Sequence, residues 1–167
     1  TMKDVVHAFR PGQNSFLTRL MLGQRVDKIL FAATKADHLH HTQHTNYTNI
    51  MRAIMDDAQR HAKFQGAKTA ALSLASVRST TETTHQDHPC VCGTLLTSRK
   101  NTLSYAGSLP DNAQQLLRDI TDGRSNWLGA EFTSTPFAPP TDAYHSYRGI
   151  AHIRLDQALE FLLGDRL

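Results

Sequence analysis

The sequence predicts an α/β fold with a mostly parallel sheet flanked by helices, and three consecutive segments carry that prediction. Val26 to Ala33 is a short apolar run, and Thr69 to Ala75 is a second one without helical period. Runs of this length and composition read as strands buried on both faces. Between them, Gln43 to Phe64 carries Tyr47, Ile50, Met51, Ile54, Met55, Ala58 and Ala62 along one helical face. That spacing predicts one amphipathic helix, with Thr42 as its N-cap and Gly66 as its stop. Strand, helix and strand in this order make a βαβ unit, which brings the carboxyl ends of both strands to one sheet edge.

The remaining elements follow in chain order. Val5, Val6 and Phe9 form a small apolar face that Pro11-Gly12 breaks, and Asn14 caps a second helix carrying Phe16, Leu17, Leu20 and Met21 up to Gly23. Residues 79–150 hold the weakest pattern and read as an α+β insertion before the last helix. Within it, Cys90 to Thr97 and Thr102 to Tyr105 flank the polar turn Ser98 to Asn101 and predict a β-hairpin. Residues 111–120 predict a short helix using Ala113, Leu116, Leu117 and Ile120. Thr133 to Pro140 holds three prolines and is expected to be irregular. Leu155, Ala158, Leu159, Leu162 and Leu163 predict the final helix, with Gly164 as a left-handed stop. Residues 1–78 and 151–167 would then form one core, interrupted by residues 79–150.

Composition excludes several classes. The chain has 167 residues, 40% of them hydrophobic and 20% charged, which suits one globular domain with a real core. Its net charge of +3 comes from 18 basic and 15 acidic residues, scattered rather than clustered. No basic stripe marks a nucleic-acid partner. No apolar stretch approaches the ~20 residues of a membrane span, and Thr1-Met2-Lys3-Asp4 does not start a signal peptide, so a cytoplasmic location is expected.

The sharpest motif is Thr34-Lys35-Ala36-Asp37, directly after the first apolar run. A [NT]-K-x-D string at a strand end places a carboxylate at the sheet edge where open α/β folds bind ligands. Guanine presents two adjacent donors, N1–H and the N2 amino group, which a carboxylate accepts together; adenine presents an acceptor at N1 instead. On this reading Asp37 accepts from the base, the Lys35 stem covers its face, and the Thr34 hydroxyl braces the loop. The same string also occurs at helix starts, where Thr caps and Asp sits in the first turn. The βαβ topology places Ser76, Val77 and Arg78 beside it. Ser76 and Val77 would offer backbone N–H groups to the guanine carbonyl. Arg78 would face the base or a phosphate, or pair with Glu82 at the surface.

Two clusters raise the question of metal. His38, His40, His41 and His44 crowd the start of the long helix, and His85, His88, Cys90 and Cys92 fall within eight residues. Neither matches the spacing of a common zinc motif. The histidines after the clamp are expected to hydrogen-bond loop backbone or solvent, the cysteines to be reduced thiols, and no metal site is assigned.

Phe9-Arg10-Pro11-Gly12, Ile29 to Leu39, Leu74 to Thr80 and His152 to Leu167 together resemble the carboxyl-terminal half of the YcjX-like family of bacterial P-loop nucleotide hydrolases. The resemblance runs from about residue 5 to residue 167. It implies a G-domain-like core with an insertion, GTP and GDP as ligands, Mg²⁺ in the intact protein, and an association with the bacterial envelope or general stress. The chain departs from a complete hydrolase. It contains no G-x-x-x-x-G-K-[ST], since Gly66-Ala67-Lys68-Thr69 imitates only the ending, and no D-x-x-G. The segment therefore reads as the base-recognition half of a longer GTPase, inactive alone, whose amino-terminal half supplies the phosphate loop and the magnesium ligands. Two alternatives stand beside it: a non-catalytic interaction domain of G-domain shape, and an ATP-preferring hydrolase.

Overall fold

The computed structural model describes residues 26–105, 108–124, 135–141 and 149–167. The two amino-terminal helices expected before Gly23 lie outside them.

Strand β1, Lys28–Ala33, pairs in parallel with β2, Lys68–Ser73, in a register that sets Ala33 opposite Ser73. The helical stretch between them is two helices, α1 (His44–Ile54) and α2 (Asp56–Phe64), rather than the single one expected from the periodicity. Met55 at the junction has left the helical region (φ −95°, ψ 6°). The break turns Met55 inward and leaves Ile54 exposed, while Asp56 and Asp57 favour a new helix start. Met55 joins Phe31 and Ala58 in a buried cluster with Ile29, Met51 and Ala71 against it. Burying side chains of this size contributes roughly 1.5–3 kcal/mol each and is the main force holding these helices on the strands. Thr42 does not cap α1. It lies in a 3₁₀ turn, His41–Gln43, in which its backbone N–H donates to His40. Gly66 ends α2 as expected, at φ 88°.

The second sheet is antiparallel, in the order β3 (Thr80–His85), β4 (His88–Thr94), β5 (Asn101–Ser104). Among the described residues the protein is thus mixed α/β, with a small parallel sheet and a larger antiparallel one, and not mostly parallel. The physical reason is local. Gln86 and Asp87, both at positive φ (50° and 62°), make a two-residue turn whose twist suits adjacent antiparallel strands. Strand β3 was not anticipated, although its threonines are β-branched residues of the kind strands favour. The β4–β5 pairing covers much of the expected hairpin, but β4 starts two residues before Cys90 and ends at Thr94.

Helix α3, Ala113–Thr121, is capped by the Asn112 side chain, which accepts from Gln115 N–H at 2.9 Å. Its Ala113 and Leu116 pack on Ile50 of α1. The final helix α4, Leu155–Leu163, lies against β1, and Arg166 at its end pairs with Asp27 at 2.7 Å. Gly164 is right-handed (φ −59°), not a left-handed stop. It is small because a Cβ there would lie 2.6 Å from the Glu160 carbonyl oxygen.

Candidate functional site

Parallel pairing brings the chain ends after β1 and β2 together. The ladder continues past the strands: Leu74 N–H donates to Ala33 O at 2.9 Å, and Ala36 N–H donates to Leu74 O at 3.1 Å. Thr34, Lys35, Asp37 and His38 from the first turn, and Leu74 to Val77 from the second, line one cleft of about 350 Å³. Thr135, Pro136 and Phe137 close its other side. Those last residues sit in the proline-rich stretch, which carries no periodic signal pointing to a site.

Lys35 is left-handed (φ 61°, ψ 34°) and starts a 3₁₀ turn, Ala36–His38, that carries the carboxylate of Asp37 inward. Asp37 is buried, and its Oδ2 accepts the Ser79 backbone N–H at 2.9 Å. The Thr80 hydroxyl donates to the Asp37 carbonyl. The turn after β1 is therefore bound directly to the beginning of β3. Thr34 is gripped through its carbonyl, which accepts from the Tyr47 hydroxyl of α1 at 2.9 Å.

Ala75 exchanges two backbone hydrogen bonds with Ile153, and Arg78 N–H donates to Ala151 O at 2.7 Å. The loop after β2 is thereby pinned on both sides of Ser76 and Val77. Arg78 does not line this cleft. Its Nε donates to Thr80 O at 3.1 Å and its Nη2 lies 3.4 Å from Glu82 Oε1, so the surface pairing considered from the sequence is the one present. A second cleft of about 460 Å³ adjoins it, lined by Arg78, Arg99, Cys92 and Pro139 among others, and it shares Ser79 with the first.

Beneath this turn lies a polar network whose members the sequence did not single out together. His44 is buried at the start of α1, and its Nε2 faces Ala36 O at 2.8 Å and Leu39 O at 3.2 Å. Both carbonyls only accept, so Nε2 carries the proton. Its Nδ1 then accepts from Arg154 Nη2 at 2.9 Å. Arg154 Nη1 donates to Ser73 O at 2.7 Å and to Ser73 Oγ at 2.9 Å. A residue just before the last helix thus binds the end of β2 to the turn after β1. Burial holds the His44 pKa below its ordinary value of 6.5, and the Arg154 charge adds to that; the bonds to Ala36 and Leu39 oppose it. Burial also lowers the pKa of His38, against Asp37 and with Lys35. His38 meets the ring of Phe137 edge-on at 5.1 Å across the cleft. The expectation that these histidines bond loop backbone describes His44 well.

Cys90 is buried and Cys92 half-buried on β4, both as free thiols. No described helix is long and apolar enough to cross a membrane.

Comparison with known proteins adds the remaining observation. The Ras-like GTPase YcjX of Escherichia coli (strain K12) is 32% identical over 170 residues, which covers 99% of this chain and 34% of that protein. The Ras-like GTPase YcjX of Shewanella oneidensis is 30% identical over 172 residues, covering 99% of this chain and 33% of the relative. The chain therefore spans about a third of the length of the curated relatives it matches. The family model described as YcjX-like family, DUF463, matches residues 1–167, and the chain belongs to that family.

Proposed function

We propose that this chain is the guanine-recognition part of a GTP-hydrolysing protein with a G-domain-like P-loop core. The observation that carries the reading is the shared cleft, in which a T-K-x-D turn and the loop after the next parallel strand face one another. A base entering there meets Asp37 from one side and Ser76 and Val77 from the other. Oδ2 of Asp37 is held by Ser79 N–H, yet each carboxylate oxygen accepts more than one hydrogen bond, so the pair of guanine donors still has acceptors. The N–H groups of Ala75 and Arg78 are taken by the 151–153 segment; among the described residues, those of Ser76 and Val77 have no backbone partner. They are the groups that would donate to the guanine carbonyl. Thr34 and Lys35 would shape the turn and cover the base. Arg78, held by Glu82, would act on a nucleotide only after leaving that partner.

Two strands are a small sheet for an α/β domain. The reading supplies the rest from the part of the longer protein that the relatives' length implies, together with the phosphate loop and the ligands of Mg²⁺. This segment would fix the base, and hydrolysis of the γ-phosphate would use groups elsewhere in the polypeptide.

One observation favours a second reading. Asp37 is buried and already satisfied by Ser79, which is what a purely structural carboxylate would show. On that reading the cleft belongs to an interaction domain that takes no nucleotide. Competition of GDP, ADP and XDP against a fluorescent guanine nucleotide separates the two on the intact polypeptide. The guanine reading expects displacement by GDP and little by ADP. It further expects Asp37→Asn to weaken GDP on the order of 10²-fold while gaining XDP, because the amide presents a donor to the xanthine C2 oxygen. Equal binding of GDP by the variant and the parent protein sinks the clamp, and displacement by no nucleotide selects the interaction domain.

A further inference from the structure

We propose that His40, His41 and Glu82 form a binding site for a divalent transition-metal ion of the zinc type, which ties the segment after the clamp turn to strand β3. One ligand atom from each of these residues lies within 4.8 Å of the others. Glu82 Oε2 is 2.7 Å from His41 Nδ1 and 3.9 Å from His40 Nε2. Donors around a tetrahedral zinc ion with bonds of about 2.05 Å stand roughly 3.3 Å apart, a value these two separations bracket. A small rotation of the exposed His41 side chain and of the Glu82 carboxylate would bring both to it.

The orientation of each group fits ligation. The Glu82 carboxylate is divided, with Oε1 toward Arg78 at 3.4 Å and Oε2 toward the imidazoles. Burial raises the Glu82 pKa, but the His41 hydrogen bond and the nearby Arg78 charge outweigh it and hold it below its ordinary value. His40 Nδ1 lies 3.0 Å from the Thr42 hydroxyl and 3.5 Å from the Thr42 backbone nitrogen, so with an ion on Nε2 the proton would move to Nδ1, which would donate to the hydroxyl and give up the longer backbone contact. Such an outer hydrogen bond commonly fixes the tautomer of a ligating histidine. The two rings are 4.3 Å apart, and the His41 side chain is 64% exposed, which gives an ion a path in. Two imidazoles and one carboxylate select zinc, cobalt or nickel over magnesium or calcium, which prefer all-oxygen shells. The fourth position falls to water.

The placement has a consequence for the cleft. Glu82 is two residues beyond Thr80, whose hydroxyl binds the Asp37 carbonyl, and His40 follows the clamp turn directly. An ion here would stiffen the same junction that positions Asp37. The proposal does not depend on the cleft taking a nucleotide.

The test is titration of Zn²⁺, and separately Mg²⁺, onto the metal-stripped intact polypeptide, followed by calorimetry and thermal unfolding. The site predicts one zinc ion bound and a rise in Tm that Mg²⁺ does not reproduce. His41→Ala, at an exposed side chain, should keep the metal-free Tm, and the isosteric Glu82→Gln should lower it only slightly; both should weaken zinc at least tenfold. Cys92→Ser with His88→Ala should leave it intact, which separates the site from the other histidine and cysteine cluster. Absence of zinc binding, or binding unchanged in His41→Ala and Glu82→Gln, overturns the proposal.

Discussion

The parallel unit around β1 and β2 and the antiparallel sheet of β3 to β5 meet at Asp37, and they are built from opposite materials. β1 reads KILFAA, and the helices above it bury Phe31, Met55 and Ala58. β3 reads TTETTH and leaves most of its side chains half-buried or exposed. The first is held by apolar contacts between residues far apart in sequence, the second by local backbone pairing across a two-residue turn. Each contributes what the other lacks. The parallel unit brings two loops to one edge, while the antiparallel sheet and the residue before it deliver the Thr80 hydroxyl and the Ser79 N–H that hold the turn after β1 in shape. A cleft can thus draw its position from one kind of packing and its hydrogen bonding from another.

The sharpest way to break this division is Arg154→Ala. It removes three hydrogen bonds that join Ser73 to His44 and leaves part-buried acceptors without a donor, which should cost about 2–4 kcal/mol in denaturant unfolding. Amide exchange should accelerate at residues 34–39 and 73–77 and stay slow in β4. Equal acceleration in both sheets would show that they unfold as one unit.

Gly93→Ala probes the other side. A Cβ on Gly93 would lie 2.6 Å from Phe137 Cδ1, so the ring that faces His38 must move. The expected loss is about 1–3 kcal/mol. The His38 ring signals should shift in the same variant while those of His44 stay; movement of both would mean that the disturbance crosses the junction.

The smallest effect is expected from pH. His44 has a folded pKa below 6.5, whereas the unfolded chain takes up its proton near that value. Below pH 6.5 the unfolded state therefore binds more protons, and stability falls as the pH drops. His38 acts with the same sign. His44→Gln should flatten the fall between neutrality and pH 5, measured by denaturant midpoints. An unchanged slope would place the titrating group elsewhere.

How far residue patterns reach is visible at individual positions. The apolar runs, the Gly66 stop and the Ala113 to Ile120 helix were legible because burial with a period of two or 3.6, or a glycine at positive φ, leaves a mark along the chain. The break at Met55 was not, since its spacing continues the helical face on both sides and only the need to reach Phe31 turns it inward. The clamp turn and the loop after β2 were found as strings, and their meeting follows from parallel pairing alone. Phe137 left no sign, because an irregular proline-rich segment has no period from which to infer a partner. Glu82 was noted as a partner for Arg78, but its approach to His40 and His41 crosses 41 residues to the nearer contact.

Residue order alone was enough for the strands of the βαβ unit and the helical stretch between them, though not its break at Met55, for the carboxylate at its edge and for the resemblance to a family, because all three are written in local spacing and local strings. Which residues surround that carboxylate was settled by packing. Ser79 with Thr80, His44, and Arg154 come from three separate stretches, and the hydrogen bonds that join them to the turn after β1, or Arg154 to His44, exist only once backbone pairing and burial have brought those stretches within 3 Å or so.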